Sequence, residues 1–209
     1  LSIYQLENLT PKDYNILSND VYLSARYFKS KWERLPELLY ELLTSANKTI
    51  SSSIATCLSD CISDEYINIE KYFDIYYIYV QEALTTFDQT DLQYLSSILQ
   101  LFYSLANYSE YEPAEIFIPI FNEMPNILRL SQNNVSIFND FCTCVKFSHA
   151  IFESSYDSYF EFFIEILTNP DFSSLKYACS IALNSLIRSF SFHFLDRSND
   201  IFDILTQTI

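Results

Sequence analysis

The sequence predicts an all-α fold assembled from a repeated pair of helices. Three observations carry this expectation. Apolar residues recur at the i, i+3, i+4, i+7 spacing of a single helix face in one segment after another. The segments come in pairs whose ends return every 40 to 43 residues. None of the 209 residues is glycine, where average usage would give about fifteen. A β-rich protein needs glycine at tight turns and bulges, whereas a helical one can replace it in its connections.

Residues 11–30 read as a first flanking helix. The first hairpin begins with Leu35, Leu38, Leu39, Leu42 and Leu43 on one stripe, and Pro36 suits its first turn. Ser45-Ala46-Asn47 breaks the pattern. A second stripe then runs through Ile50, Ile54, Cys57, Leu58, Cys61 and Ile62. The second hairpin pairs 69–87 with 92–105, across Asp88 to Thr90. Its first half contains YFDIYYIYV, which is rich in β-formers. The repeat still demands a helix there, because a lone strand would have no partner. The third hairpin pairs 114–130 with 135–152 across an Asn-rich break, and the fourth pairs 156–167 with 175–190. Asp171 and Ser173 are candidate caps for the last helix, and Thr90 or Asp91 for the one at Leu92. A final flank is expected at 199–209. Every break is built from Asn, Asp, Ser, Thr or Pro, turn formers other than glycine. Four hairpins within residues 35–192, with their helical flanks, make residues 1–209 a single repeat domain of α-solenoid type.

Composition narrows the function. Without glycine there is no phosphate-binding P-loop, dinucleotide fingerprint or nucleophile elbow. No run of 18 apolar residues is present, so no membrane span is expected. The net charge of −15 is uneven, at −1 over residues 1–62 and −14 over residues 63–209. Phosphates would be repelled by most of this surface, which argues against direct nucleic-acid binding and favours basic protein segments as partners. The exception is a basic cluster at Arg26, Lys29, Lys31 and Arg34, beside Tyr27 and Trp32. It could meet an acidic partner or a phosphate, or be a solvated helix end.

Five cysteines, Cys57, Cys61, Cys142, Cys144 and Cys179, form no C-x-x-C pair, and only two histidines accompany them. No zinc-ligand spacing results, and neither a metal nor a cofactor is expected. Reduced, buried thiols are the expected state, which points to the cytoplasm or the nucleus. His149 and His193 lie in apolar-periodic segments and offer no base for a nucleophile. The pair Glu161/Glu165 shares a helix face but reads as solvated surface. No catalytic residue is assigned, and no enzyme is expected. The chain lacks a starting Met and stops inside an apolar-periodic segment, so a longer parent protein is expected.

The stretch LPELLYELLTSANKTISSSIATCLSDCI resembles an armadillo repeat, with a P-x-L-L-x-L-L helix, a short turn and a helix of small and apolar residues. LSSILQLFYSLAN and LKYACSIALNSLIRS are similar to the last armadillo helix. The resemblance covers most of residues 35–190 and extends to the related HEAT hairpins, which fit the absence of glycine better. It implies a right-handed solenoid and a non-enzymatic scaffold or adaptor that binds other proteins. It also implies a groove lined by the second helix of each unit. The corresponding positions are Thr56, Asp60, Gln100, Ser104, Cys142, Lys146, Ile181 and Ser185. None is Trp or Asn, unlike the ladder by which importin-like carriers hold basic cargo. Such a carrier, or a formin-type armadillo regulatory domain acting on the actin cytoskeleton, are the alternatives the resemblance offers.

Overall fold

The computed structural model describes residues 10–44, 47–86, 91–109, 117–130, 134–147 and 149–190. Among these residues the protein is all-helical, with no strand. The chain divides into two compact units, Leu1–Tyr111 and Glu112–Ile209.

The first unit holds α1 (Pro11–Phe28), a 3-10 turn (Lys29–Lys31), α2 (Leu35–Leu43), α3 (Lys48–Ser63), α4 (Phe73–Thr86) and α5 (Leu92–Ser109). Helix α3 packs between α1 and α5, while α2 lies against α3 and α4 against α5. The expected stripe is the buried one, since Ile50, Ile54, Cys57, Leu58, Cys61 and Ile62 all lie in the core. Each such large side chain contributes about 1.5–3 kcal/mol relative to remaining exposed. The β-former-rich segment is helical from Phe73, and it buries Tyr76, Val80, Ala83 and Leu84. The preceding Ile69–Tyr72 forms a turn, so α4 starts four residues later than the apolar pattern suggests.

The second unit holds α6 (Ile118–Leu130), α7 (Val135–Phe147), a one-turn α8 (His149–Phe152), α9 (Tyr156–Thr168) and α10 (Lys176–Ser189). Helix α10 packs on both α7 and α9. The expected single helix over 135–152 is two elements, α7 and α8. Phe121, Phe141, Phe152 and Tyr159 form the centre of this unit's core, with the Phe152 and Tyr159 rings edge-to-face at 4.8 Å. The expected flank at 199–209 lies outside the described residues.

The capping chemistry of the breaks is specific. Thr10 and Asp13 form a reciprocal capping box at α1. The Asn47 carboxamide oxygen accepts from the Thr49 and Ile50 amides. Asp91 accepts from the Tyr94 amide, and Asn134 from that of Ile137. At the last break the cap is Asn169, which accepts from the Asp171 amide, in place of the expected Asp171 or Ser173. The reason is Pro170. Its fixed φ starts a 3-10 segment, Pro170–Leu175, before α10, so the capping position moves upstream.

Three cross-helix contacts are built from hydroxyl-bearing residues. In the first unit the Ser59 hydroxyl donates to the Gln100 carbonyl at 3.0 Å. A hydroxyl has one proton, so in the 2.7 Å Ser59–Ser104 contact Ser104 must be the donor. Ser63 then donates to Ser104 at 2.9 Å. This three-serine relay joins α3 to α5. In the second unit Pro125 lies inside α6 and has no N–H to give the Phe121 carbonyl. The Tyr159 hydroxyl on α9 donates to that same carbonyl. The first unit has a counterpart, in which Tyr76 on α4 donates to the Pro36 carbonyl on α2.

Candidate partner-binding surface

In the first unit the outer faces of α1, α3 and α5 enclose two adjoining recesses, of about 390 and 230 Å³, which share Ser18 and Thr56. The larger is walled by Ser18, Asn19 and Tyr22 of α1 and by Thr56 and Asp60 of α3, with Asp64 at the end of α3. The smaller lies between α3 and α5 and is lined by serines with Gln93 and Gln100. Three of the sequence-derived groove positions, Thr56, Asp60 and Gln100, are therefore brought together along one surface. The fourth, Ser104, is not on that surface. It is 2% exposed and belongs to the serine relay between α3 and α5.

The larger recess is acidic. The Tyr22 hydroxyl donates to Asp64 at 2.6 Å. That bond to a carboxylate holds the phenol proton and raises the Tyr22 pKa well beyond its usual range. Asp60 is one turn before Asp64. Partial burial, and then the like charge of Asp64, raise its pKa above the ordinary 3.8. No cation among the described residues pairs with Asp60. The arrangement is a polar slot with two carboxylates and a tyrosine at one end. It suits a cationic group or hydrogen-bond donors presented by an extended segment.

In the second unit Cys142 and Lys146 of α7 and Ile181 of α10 line a recess of about 290 Å³. Tyr177, also in the wall, is largely exposed. Ser185 sits half-buried on α10 and is not part of this lining. The recess is less polar than those of the first unit and carries a cation in place of the carboxylates.

The basic cluster is gathered at the C-terminal end of α1. Arg26 is in the last turn, where a cation interacts favourably with the helix dipole, and Lys29 and Lys31 bracket the following 3-10 turn. All three are exposed and form no ion pair among the described residues, while Arg34 pairs with Glu37 at 3.2 Å. A further recess of about 450 Å³ runs beside this cluster, between Trp32, Arg34 and Pro36 on one side and Lys71 and Tyr72 on the other.

The five cysteines are free and buried. A hydrogen bond with Cys57, then burial, raises the Cys61 pKa, and burial alone is the leading cause at Cys142, Cys144 and Cys179. A thiol held protonated in an apolar core is a poor nucleophile and a poor metal ligand. Among the described residues no group of three or more His, Cys, Asp or Glu could hold a metal ion, and no helix is long and apolar enough to cross a membrane. The Glu161/Glu165 pair resolves into a surface contact, because Arg129 on α6 donates to Glu165 Oε2 from Nε at 3.1 Å and from Nη2 at 2.8 Å, with a longer Nε contact of 3.4 Å to Oε1. His193 and the side chain of His149 lie outside what is described.

Sequence reasoning missed Ser18 and Tyr22. The i, i+4 spacing of these two residues on α1 is the one signal that could have placed them on the face toward α3. No family model matches the chain, and no curated protein or solved structure matches it.

Proposed function

We propose that the chain is a non-enzymatic protein-binding scaffold of armadillo/HEAT-like hairpins stacked as a right-handed solenoid. Its principal binding surface is the acidic slot of α1, α3 and α5, and its ligand is an extended basic segment of another protein. The observation that carries this reading is the meeting of Thr56, Asp60 and Gln100 along two adjoining recesses. Those positions come from successive second helices, as a peptide groove requires. The reading is further supported by the cross-helix hydrogen bonds, whose partners are separated by nearly one repeat: 42 residues for Tyr22–Asp64, 40 for Tyr76–Pro36 and 38 for Tyr159–Phe121. Asp60 supplies the chemistry. A carboxylate one helical turn from another, at the edge of a recess, is relieved by a lysine or arginine from a partner.

The test is fluorescence anisotropy with labelled, extended 12-residue peptides of about equal length and differing charge, at low and at moderate salt. Lys/Arg-rich peptides are expected to bind and acidic ones not. Asp60→Asn should weaken binding about five- to tenfold, and Thr56→Arg should block it by filling the slot. Equal binding of acidic and basic peptides, or no loss with either variant, would sink the proposal.

A further inference from the structure

Helix α1 has a second apolar face that is exposed among the described residues. At 100° per residue, Ala25, Ser18 and Tyr22 define the side turned toward α3, where Ala25 is fully buried. Ile16, Leu23 and Tyr27, spaced by seven and four residues, fall on the opposite side and are 53%, 47% and 82% exposed. Phe28, the next residue and about 100° round the helix from Tyr27, is 50% exposed and lies edge-on to Tyr27 at 5.1 Å and to Trp32 at 6.2 Å. Arg26, Lys29 and Lys31 are neighbours of these rings in the sequence, are exposed, and form no ion pair among the described residues. This is where positive charge is concentrated in a chain of net charge −15.

We infer that this end of α1 is a docking site for an anionic lipid surface. The chemistry matches on both counts. The cations meet acidic headgroups, and exposed tyrosine, phenylalanine and leucine tips enter the boundary between headgroups and acyl chains, a depth favoured by amphipathic rings. The face lies directly opposite the packed side of the helix, so a plane can reach it without meeting the rest of the unit's core. It is a ridge of separate tips, not a groove, and a bilayer requires no matching shape. Asp20, four residues after Ile16 and three before Leu23, lies on this face midway along the helix, and the exposed Glu33 follows Trp32. Asp20 keeps the N-terminal half shallow and leaves Tyr27, Phe28 and the three cations to make the contact. The acidic residues elsewhere are screened beyond about 10 Å at ordinary ionic strength.

The experiment is co-sedimentation of the full chain with phosphatidylcholine vesicles containing none or about two-fifths phosphatidylserine. Binding is expected only to the anionic vesicles and should be lost at about 0.5 M salt. Arg26→Glu/Lys31→Glu should lower the partition coefficient by at least 25-fold, at about fivefold per cation. Tyr27→Ser/Phe28→Ser should lower it at least about fivefold while the circular dichroism melt is kept. Arg188→Glu, an exposed charge change in the second unit, should leave binding unchanged. Absent binding, an equal loss with Arg188→Glu, or full binding by both double variants would overturn the inference. So would a chain that binds single-stranded RNA, or a second copy of itself, through the same residues while ignoring the vesicles. None of these readouts depends on the acidic slot. Failure here and failure of basic-peptide binding are therefore distinguishable.

Discussion

Replacing Glu65 by glycine is expected to stabilise the first unit. Among the described residues only Lys29 and Glu65 have positive φ, and Glu65 sits at +57°. It follows α3 in a Schellman turn. The Tyr66 amide donates back to the Cys61 carbonyl at 2.9 Å, and the Glu65 amide to that of Ile62 at 3.0 Å. An L-residue in this conformation costs about 1–2 kcal/mol through the clash of Cβ with its own backbone. Glycine removes the clash but loses about 0.5–1 kcal/mol more chain entropy on folding. The difference is a net gain of about 0.5–1 kcal/mol, or about 2–4 °C in melting temperature. The side chain itself adds little to this balance, since it is exposed and makes no hydrogen bond or ion pair among the described residues.

The single tryptophan, Trp32, lies in the first unit, so urea unfolding followed by its fluorescence reports on that unit. Glu65→Ala is the control. It removes the same carboxylate, including its unfavourable interaction with the C-terminal dipole of α3, yet it keeps Cβ. The Gly variant should exceed the Ala variant by about 1 kcal/mol. Equal midpoints for the two variants, or a lower midpoint for Glu65→Gly than for the parent, would refute the backbone reasoning.

Three further outcomes are expected. Tyr159→Phe should destabilise the second unit by about 1–3 kcal/mol by taking the donor from the Phe121 carbonyl, and adding Pro125→Ala should recover about 1 kcal/mol by supplying an amide N–H. Calorimetry of the four-member cycle measures this coupling, and strict additivity would exclude it. Asp60→Asn should raise stability at pH 7. The folded pKa of Asp60 lies above the unfolded one, so its contribution is fully present below the ordinary 3.8 and is lost as pH rises through the folded value. The variant's gain should therefore vanish in melts below about pH 3.8, and a gain that persists there would contradict the assignment. Ellman's reagent should titrate almost no thiol in the native protein at pH 8 and five after unfolding, and rapid native labelling of any cysteine would contradict its burial.

The helices were legible because burial imposes a 3.6-residue period on side chains of fixed chemistry. The α3 stripe from Ile50 to Ile62 is the plainest case, and even the β-former-rich α4 obeyed it, because tertiary packing overrides a weak local propensity. The caps were legible where a single Asx residue precedes the helix, as at Asn47. They were displaced where proline moved the start, as at Pro170. What the period could not supply was the meaning of small polar residues. A serine fits a solvent-facing groove and a close helix contact equally well. Ser104 has the spacing of a groove position and is instead committed to Ser59 and Ser63. The contribution of α1 to the slot was hidden for a similar reason, since Ser18 and Tyr22 take their roles from α3, and that packing is invisible in α1 alone.

The lack of glycine takes on a structural meaning at Glu65 and Lys29. Only two described positions need positive φ, and at Glu65 the protein tolerates the strain of a residue with Cβ. The connections elsewhere are capped by Asn, Asp and Thr, which need no left-handed backbone. A chain that places so few demands on its turns can hold its helices while its surfaces vary. The two units do diverge. The recess between α7 and α10 presents Lys146 and Ile181, whereas the slot of the first unit presents Asp60 and Asp64. Asp60 is the sharper case. Its raised pKa means that the fold disfavours its ionised form, and asparagine has a similar size and no charge. A residue that lowers stability in the free protein and would raise affinity for a cation is better explained by binding than by packing. The opposite signs expected for Asp60→Asn, more stable alone and weaker toward basic peptides, are the measurable form of that inference.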